Sequence, residues 1–538
     1  MSQAASLGET GPAALSQGQA QAQSQIDWTR LLLGFSGMVL GQFMAILDIQ
    51  IVAASLPQIQ SGVGASNDEI SWVQTAYLIP EVVMIPLSAF LSRIWGTQRL
   101  FLASCFGFIL MSILTGLSSS IEMMIVTRAL QGFVGGAMIP TVFATAFTAF
   151  PPQRRLTAGV VMGLIVTLAP TIGPTLGGHL SEALSWRWLF FINVFPGILV
   201  LFLVGRYANF DRGDPKLAAN FDWTGLALMA ASLMSIQFVL EEGARNDWFE
   251  DPLISVLAVL GLASGAIFVR RSLRAANPII ELRALGDRNF LAGVAMTFVT
   301  GAALFGGTFL MPLFLGRVRD FSASEVGTTM MVSGLTMFLA GPLIGRMVRF
   351  IDLRVPMILG FALCGIGMAM AHSVTSQWGF WQFAAVQAVR GLGVMMALIA
   401  AQQVTMSTLA PHLIKNASGI VNLARNVGGA FGLAVLNTSL THQSAAHLET
   451  LSANLPSTSP QAQSTLAAIT ARMEALGLPN ADQGALKSLA LLMEREANTL
   501  AFGDAFLLLA IACFFGIGLA WLAKPQSYAV QSQTEPVH

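Results

Sequence analysis

Residues 169–178 read APTIGPTLGG and lie inside an apolar run that extends from about 156 to 180. Three glycines and two prolines within ten residues would break a helix in water, because glycine is flexible and proline lacks an amide hydrogen. In a membrane such a helix is tolerated, and its small residues form a smooth face for a neighbouring helix. The stretch therefore predicts a membrane-spanning helix that another helix contacts closely and that could seal a pathway on one side.

Fourteen apolar runs of this kind predict an all-α polytopic membrane protein. A helix needs about 20 apolar residues to cross the hydrocarbon core of a bilayer. Only 10% of the 538 residues are charged, whereas soluble proteins carry about 25%. The runs lie near 31–56, 70–92, 99–117, 121–149, 156–180, 187–205, 223–241, 252–269, 290–316, 325–345, 355–372, 379–409, 417–440 and 500–523.

Basic residues are distributed unequally between the two sets of loops, and they accumulate on the cytoplasmic side of bacterial membrane proteins. The short loops on the far side from the termini hold four: Arg187, Arg245, Arg317 and Arg319. Arg472, Lys487 and Arg495 lie in the long segment 441–498 on that side, and the rule gives long segments little weight. The segments on the side of the termini hold eighteen: Arg30, Arg93, Arg99, Arg154, Arg155, Arg206, Arg212, Lys216, Arg270, Arg271, Arg274, Arg283, Arg288, Arg346, Arg349, Arg354, Lys415 and Lys524. Both termini are therefore expected in the cytoplasm.

Weak internal repeats divide the chain into two halves. The fourth run contains ALQGF at 129–133 and the twelfth contains AVRGL at 388–392, and basic loops follow the second and tenth runs. We therefore predict a six-helix half at 30–206, a linker with two extra spans at 207–288, and a second half at 289–524, as in transporters built from repeats. Residues 1–29 and 525–538 are expected to be disordered cytoplasmic tails.

A polar segment at 441–498 interrupts the second half before the last run. Its stretches 461–478 and 482–496 place Ala, Leu and Met at helical spacing against Gln, Glu and Arg, which predicts an amphipathic helical hairpin outside the membrane. The hairpin could be a solvated cap or a docking surface for a periplasmic partner.

Ionisable residues inside predicted spans are candidate functional residues, because a charge in the membrane is costly. Glu81 lies near the middle of the second span between Pro80 and Pro86, with no charged neighbour in sequence. A carboxylate out of water can bind a proton near neutral pH, so Glu81 is the leading candidate for proton coupling, with Asp48 as a second. Arg128 stays charged; it could hold one of these carboxylates ionised or extend to the membrane interface.

Further polar residues within or at the ends of the spans are candidates for a substrate pathway, in contact with substrate or with backbone carbonyls. These residues are Gln131, Arg390, Arg425, Asn426 and Asp504. For Asp504, which lies at the predicted start of the last span, a helix N-cap is an alternative role.

Composition excludes several functional classes. The net charge is zero and the basic residues are scattered, which argues against a nucleic-acid partner. The three cysteines lie in apolar runs and predict neither disulfides nor a metal site. The chain has no GxxxxGK[ST] motif, so ATP is not expected to drive it, and no nucleophile constellation indicates an enzyme. No cofactor is expected other than a proton as coupling ion.

Four motifs in order resemble the major facilitator superfamily, and specifically its fourteen-span drug:proton antiporters of the EmrB/QacA type. Residues 47–57, LDIQIVAASLP, look like the first-helix motif LDxTIVNVALP, and residues 128–132, RALQG, match RxxQG. Residues 169–178 match the antiporter motif GxxxGPxxGG at Gly173, Pro174, Gly177 and Gly178, with Ala169 in place of its first glycine, and residues 186–193, WRWLFFIN, resemble the stretch that follows it. The resemblance implies the major facilitator fold and assigns Arg128 to proton translocation.

One departure concerns the loop after the second span, where Arg93 stands at the position of an expected aspartate. EmrB-like members share that loss, and their polar outer segment is similar to 441–498. The resemblance therefore implies a pump in a Gram-negative inner membrane, with a periplasmic adaptor of the EmrA type and a TolC-like outer-membrane channel as partners.

These observations together predict a proton-coupled antiporter that exports lipophilic or amphipathic drugs by alternating access between the two halves. Small molecules and the lipid bilayer would be its other partners. The alternatives are a dedicated exporter of one metabolite, such as a siderophore or toxin, a passive channel, and a membrane receptor that moves no solute.

Overall fold

The computed structural model describes residues 27–66, 69–219, 221–275, 278–348, 350–406, 408–410, 413–454, 459–476 and 480–525. The predicted tails 1–29 and 525–538 therefore lie almost wholly outside the described residues. The helical region begins earlier than expected, because the Asp27 carboxylate accepts a hydrogen bond from the Arg30 amide and caps a helix that starts at Trp28.

Eighteen α-helices account for most of the described residues, with no β-strand among them. The first nine are α1 (Trp28–Ala54), α2 (Leu56–Val63), α3 (Trp72–Trp95), α4 (Thr97–Gly116), α5 (Ile121–Gly135), α6 (Met138–Thr148), α7 (Pro152–Ala183), α8 (Trp188–Phe191) and α9 (Val194–Tyr207). The others are α10 (Trp223–Glu242), α11 (Pro252–Arg274), α12 (Arg288–Arg317), α13 (Ala323–Met347), α14 (Arg354–His372), α15 (Phe380–Met406), α16 (Ile414–Asn454), α17 (Pro460–Ala475) and α18 (Ala481–Ala520).

Fourteen stretches of the described chain are long and apolar enough to cross a membrane, which confirms the predicted all-α polytopic fold. Helices α5 and α6 together form the fourth span, and α8 and α9 together form the sixth. Helix α7 runs without a break through Pro170 and Pro174, as expected of prolines in a helix that its neighbours support.

The spans contact one another in two groups, the first formed by α1 to α9 and the second by α12 to α18. The groups meet along a seam, where α7 contacts α13 and α15, and α16 contacts α3 and α6. The predicted extra spans α10 and α11 pair with each other, and α10 also touches α3 and α16. One inserted helix therefore lies against both groups.

The described parts of the polar segment 441–498 are mostly helical, but they do not form a separate hairpin. The first predicted helix is confirmed as α17, whereas the second is continuous with the last span in α18. Helix α16 likewise continues past its apolar part to Asn454. Its 41 residues correspond to about 60 Å, roughly twice the thickness of the hydrocarbon core.

The seam is closed at the end of the bundle that holds Trp28 and Lys524, called the terminal end below. The Asp211 carboxylate, in the linker after α9, forms an ion pair with Lys415 at the start of α16 and accepts a hydrogen bond from the Thr97 amide at 2.9 Å. Beside this ion pair, the Ser418 hydroxyl donates to the Pro140 carbonyl at 2.7 Å. The linker thus supplies an acid close to the loop in which Arg93 replaces the expected aspartate.

We predict that Asp211→Asn shifts the protein towards a form that is open at the terminal end. Losing a partly exposed ion pair costs about 1 kcal/mol, which corresponds to about a fivefold change in the equilibrium. Ala89→Cys provides the reporter, because Ala89 faces Gly419 across the closed seam and the native cysteines are buried. The reaction of this cysteine with N-ethylmaleimide should be about fivefold faster in the Asp211→Asn background.

Asp214→Asn is the matched control, because the Asp214 carboxylate accepts from the Lys216 amide within the same segment. The Asp211→Lys/Lys415→Asp pair should return labelling towards its original rate. Equal labelling rates with and without Asp211→Asn would show that the ion pair does not hold the seam closed.

Candidate functional site

A buried ion pair between Asp48 on α1 and Arg128 on α5 lies at the centre of the first group of helices. Arg128 Nη1 donates to Asp48 Oδ2 at 2.6 Å, and both side chains have no exposed surface. Arg128 also donates from Nε to the Val73 carbonyl at 3.1 Å and from Nη1 to Gln131 Oε1 at 2.9 Å. Arg128 therefore does not extend to the interface; it is held inside the bundle.

The Asp48 carboxylate has two further donors. Asn193, between α8 and α9, donates to Oδ1 at 2.7 Å, and Gln131 Nε2 donates to the same atom at 3.3 Å. Asn193 also donates to the Ser112 hydroxyl on α4 at 3.0 Å. A carboxylate with an ion pair and two further hydrogen bonds is satisfied as an anion. The cluster thereby joins α1, α3, α4, α5 and the start of α9.

A cavity of about 460 Å³ opens between the two groups of helices, at the end of the bundle opposite the terminal end. Its walls come from α1, α3 and α7 on one side and from α12 and α16 on the other, with α10 completing the wall. The volume is in the range of small-molecule sites. The cavity and the closed terminal end together describe a state that is open on one side only.

Glu81 lines this cavity and is 3% exposed. Within the part of the chain that the structure describes, its carboxylate forms no ion pair within 4.0 Å. Arg425 on α16 lines the same cavity from the other group and interacts electrostatically with Glu81. Arg425 Nη2 donates to Asn422 at 2.7 Å, whereas its buried Nε has no hydrogen-bond partner among the described residues.

The predicted glycine and proline motif of α7 separates into two faces. A Cβ at Gly173 would lie 2.5 Å from Gln50 Cβ, and one at Gly177 would lie 2.8 Å from the Ile51 carbonyl oxygen, so both glycines permit close contact with α1. Pro174 and Gly178 line the cavity instead. The close helix contact expected from the sequence is confirmed.

The other predicted pathway residues occupy different places. Asn426 lines the cavity beside Arg425, whereas Gln131, Arg390 and Asp504 do not. Arg390 is 1% exposed and binds Gln387 and Ser333 inside the second group. For these three residues, contact with a substrate stays a prediction.

Asp504 does not cap a helix, because α18 begins at Ala481, more than twenty residues earlier. Its carboxylate instead lies 2.7 Å from His447 Nε2 on α16. The alternative N-cap role is therefore wrong, since the last helix extends well beyond its apolar part.

Sequence reasoning missed several polar residues of these two sites, among them Asn193, Gln237 and Glu241. Asn193 is the last residue of the WRWLFFIN stretch that resembles the family. Its contact with Asp48 could not be read from the sequence, because the two residues are 145 positions apart. Gln237 and Glu241 line the cavity from α10. Their spacing of four residues places them on one helix face, which was a readable signal.

A family model described as the Major Facilitator Superfamily matches residues 38–433 of this chain. The match covers the first group of helices, the inserted pair and the second group as far as α16. It begins in α1 and ends in α16.

Two bacterial proteins are similar in sequence to this chain along nearly its whole length. The colistin resistance protein EmrB of Acinetobacter baumannii is 38% identical over 482 residues, which cover 89% of this chain and 94% of that protein. The multidrug export protein EmrB of Escherichia coli K12 is 28% identical over 511 residues, which cover 94% of this chain and 98% of that protein.

A solved structure agrees on the fold alone. The human organic anion transporter MFSD10 (TETRAN) superposes with a TM-score of 0.56 at 12% identity, covering 90% of this chain and 99% of the other. With the family match, the EmrB relatives and fourteen spans in two contacting groups, the chain belongs to the major facilitator superfamily of membrane transporters, as an EmrB-type member and not as an enzyme.

Proposed function

We propose that this protein is a proton-coupled antiporter that exports lipophilic or amphipathic drugs across a bacterial inner membrane. The observation that carries the proposal is Glu81, a buried carboxylate without an ion pair among the described residues, in a cavity shared by two groups of helices. Burying an ionised carboxylate without a partner is costly, so such a group takes up a proton or a cationic partner. The names of the EmrB relatives support drug export as the function.

In the proposed cycle, Glu81 takes a proton from the periplasmic side while the cavity is open there. Protonation removes the negative charge beside Arg425, and the substrate leaves. The halves then close on the periplasmic side and open towards the cytoplasm, where Glu81 releases its proton as a new substrate binds. Arg425 favours deprotonation of Glu81 when the two approach, because opposite charges attract strongly out of water.

Asp48 and Arg128 have a supporting role in this proposal. The cluster around their ion pair joins five elements of the first half, so that half can move as one body around the cavity. Arg128 would act on Glu81 through its positive charge, while its Nη1 atom binds Asp48 and Gln131 and its Nε atom binds the Val73 carbonyl.

The proposed sidedness places the terminal end in the cytoplasm, because the basic residues accumulate there. The polar parts of α16, α17 and α18 would then extend into the periplasm. We propose that they bind an adaptor of the EmrA type, which would connect the pump to a TolC-like outer-membrane channel. The length of α16 beyond the bilayer supports this assignment.

We predict that Glu81→Gln abolishes proton-driven export while the protein still folds. The amide cannot exchange a proton, and no ion pair of the described residues is lost. Ethidium transport into everted vesicles should fall to the level of vesicles that lack the protein, and a protonophore should do the same to the wild type. Glu250→Gln, an exposed carboxylate outside the cavity, should transport normally.

The outcomes separate the proposed function from its alternatives. Normal transport by Glu81→Gln would place the coupling carboxylate elsewhere, with Asp48 next. Transport by the wild type that a protonophore leaves unchanged would indicate a passive channel. If the wild type moves no dye, a dedicated metabolite exporter or a receptor that moves no solute becomes the better reading.

We predict that Asp48→Asn destabilises the protein, because it leaves the buried Arg128 without its counter-charge. Breaking a buried ion pair costs about 3 kcal/mol or more, so the apparent melting temperature in detergent should fall by about 5 °C. Asp48→Asn/Arg128→Met removes both charges and should recover part of the loss. If Asp48→Asn keeps wild-type stability but loses transport, Asp48 carries the proton instead.

A further inference from the structure

The inserted helix α10 contributes two polar side chains to the cavity. Gln237 and Glu241 both line it, and Gln237 Nε2 donates to Glu241 Oε1 at 2.9 Å. The next residue, Glu242, faces away from the cavity and accepts from the Thr75 hydroxyl at 2.9 Å. Because α10 also contacts α3 and α16, its cavity face is fixed in position against both halves.

The charges that line the cavity are unequal. Among the described residues that line it, the carboxylates are Glu81, Glu182 and Glu241, and Arg425 is the one basic side chain. Arg425 interacts with Glu81. Among the described groups, Glu241 has the neutral Gln237 amide as its partner and no ion pair. The part of the wall around Glu241 is therefore acidic and uncompensated.

A second part of the cavity wall, on α12 and just before α13, suits a large apolar body. Phe305 and Phe309 on α12 and Phe321 before α13 line the cavity, together with aliphatic residues. Aromatic faces attract cations as well as apolar groups. A ligand that matches the acidic part around Glu241 and this aromatic part has a broad apolar body and a positive charge at one end.

We propose that Glu241 on the inserted helix is a specificity-determining residue that binds the positive charge of lipophilic cations. The inference rests on the proposed function, because it takes the cavity to be the site of the exported molecule. It assigns two carboxylates to separate tasks: Glu81 exchanges the proton, and Glu241 selects the charge of the substrate. The inserted pair of helices then contributes to recognition as well as to the contact between halves.

The direct test is binding of tetraphenylphosphonium to the purified full-length protein by isothermal titration calorimetry. We expect Glu241→Gln to weaken binding about tenfold and Glu241→Lys to weaken it further. Glu242→Gln is the matched control, since it keeps an acceptor for Thr75 on the same helix, and it should bind like the wild type. Unchanged affinity in Glu241→Gln would overturn the proposal.

Transport of two dyes tests selectivity in the same variants. Glu241→Gln should lose most export of cationic ethidium and keep that of uncharged Nile red, which also shows that the variant folds and couples to protons. Equal loss of both dyes would overturn a role in selectivity. A wild type that moves neither dye would contradict the proposed function, whereas a wild type that moves both and a Glu241→Gln variant that also moves both would contradict this inference alone.

Discussion

The contact between Arg128 and Asp48 is the constraint on which the rest of the first half depends. A guanidinium with no exposed surface inside a membrane bundle needs a counter-charge, and Asp48 supplies it at 2.6 Å. The other partners in this cluster come from three further elements: α3 supplies the Val73 carbonyl, α4 the Ser112 hydroxyl and the start of α9 the Asn193 amide. The cluster therefore fixes the relative positions of five elements. Because Asp48 is held in this ion pair, we propose Glu81 in the cavity as the carboxylate that exchanges a proton.

The second half has a similar pair of polar residues before a glycine, but its arginine and glutamine have exchanged positions. Gly132 and Gly391 occupy equivalent seams: a Cβ at Gly132 would lie 2.0 Å from the Tyr77 carbonyl oxygen, and one at Gly391 would lie 2.8 Å from that of Ser333. Arg128 lies four residues before Gly132 and Gln131 lies one residue before it. In the second half, Gln387 and Arg390 occupy the same two positions before Gly391. In both halves the arginine donates to the glutamine three residues away. Among the described residues no aspartate contacts Arg390, so an acid-bound arginine cluster distinguishes the first half.

The sequence predicted the spans and the fold class well, because apolar length and small-residue patterns are local properties. The geometry of the sites depends on contacts between distant residues. Asp48 and Arg128 were separate candidates, and their contact across 80 residues of sequence was one of several possibilities. Glu241 lies near the end of its predicted span, where a carboxylate is expected to be solvated. It lines the cavity because α10 contacts both halves. The sequence did not predict that α18 runs without a break into the last span, because the first part of this helix is polar.

The central claim is that Glu81 holds a proton that the substrate displaces. The most direct measurement is the number of protons released when tetraphenylphosphonium is added to the purified protein in a weakly buffered solution, followed with a pH-sensitive dye. The account predicts release from the wild type and none from Glu81→Gln, which should still bind the cation through Glu241. Undiminished proton release from Glu81→Gln would show that another group carries the proton and would contradict the account.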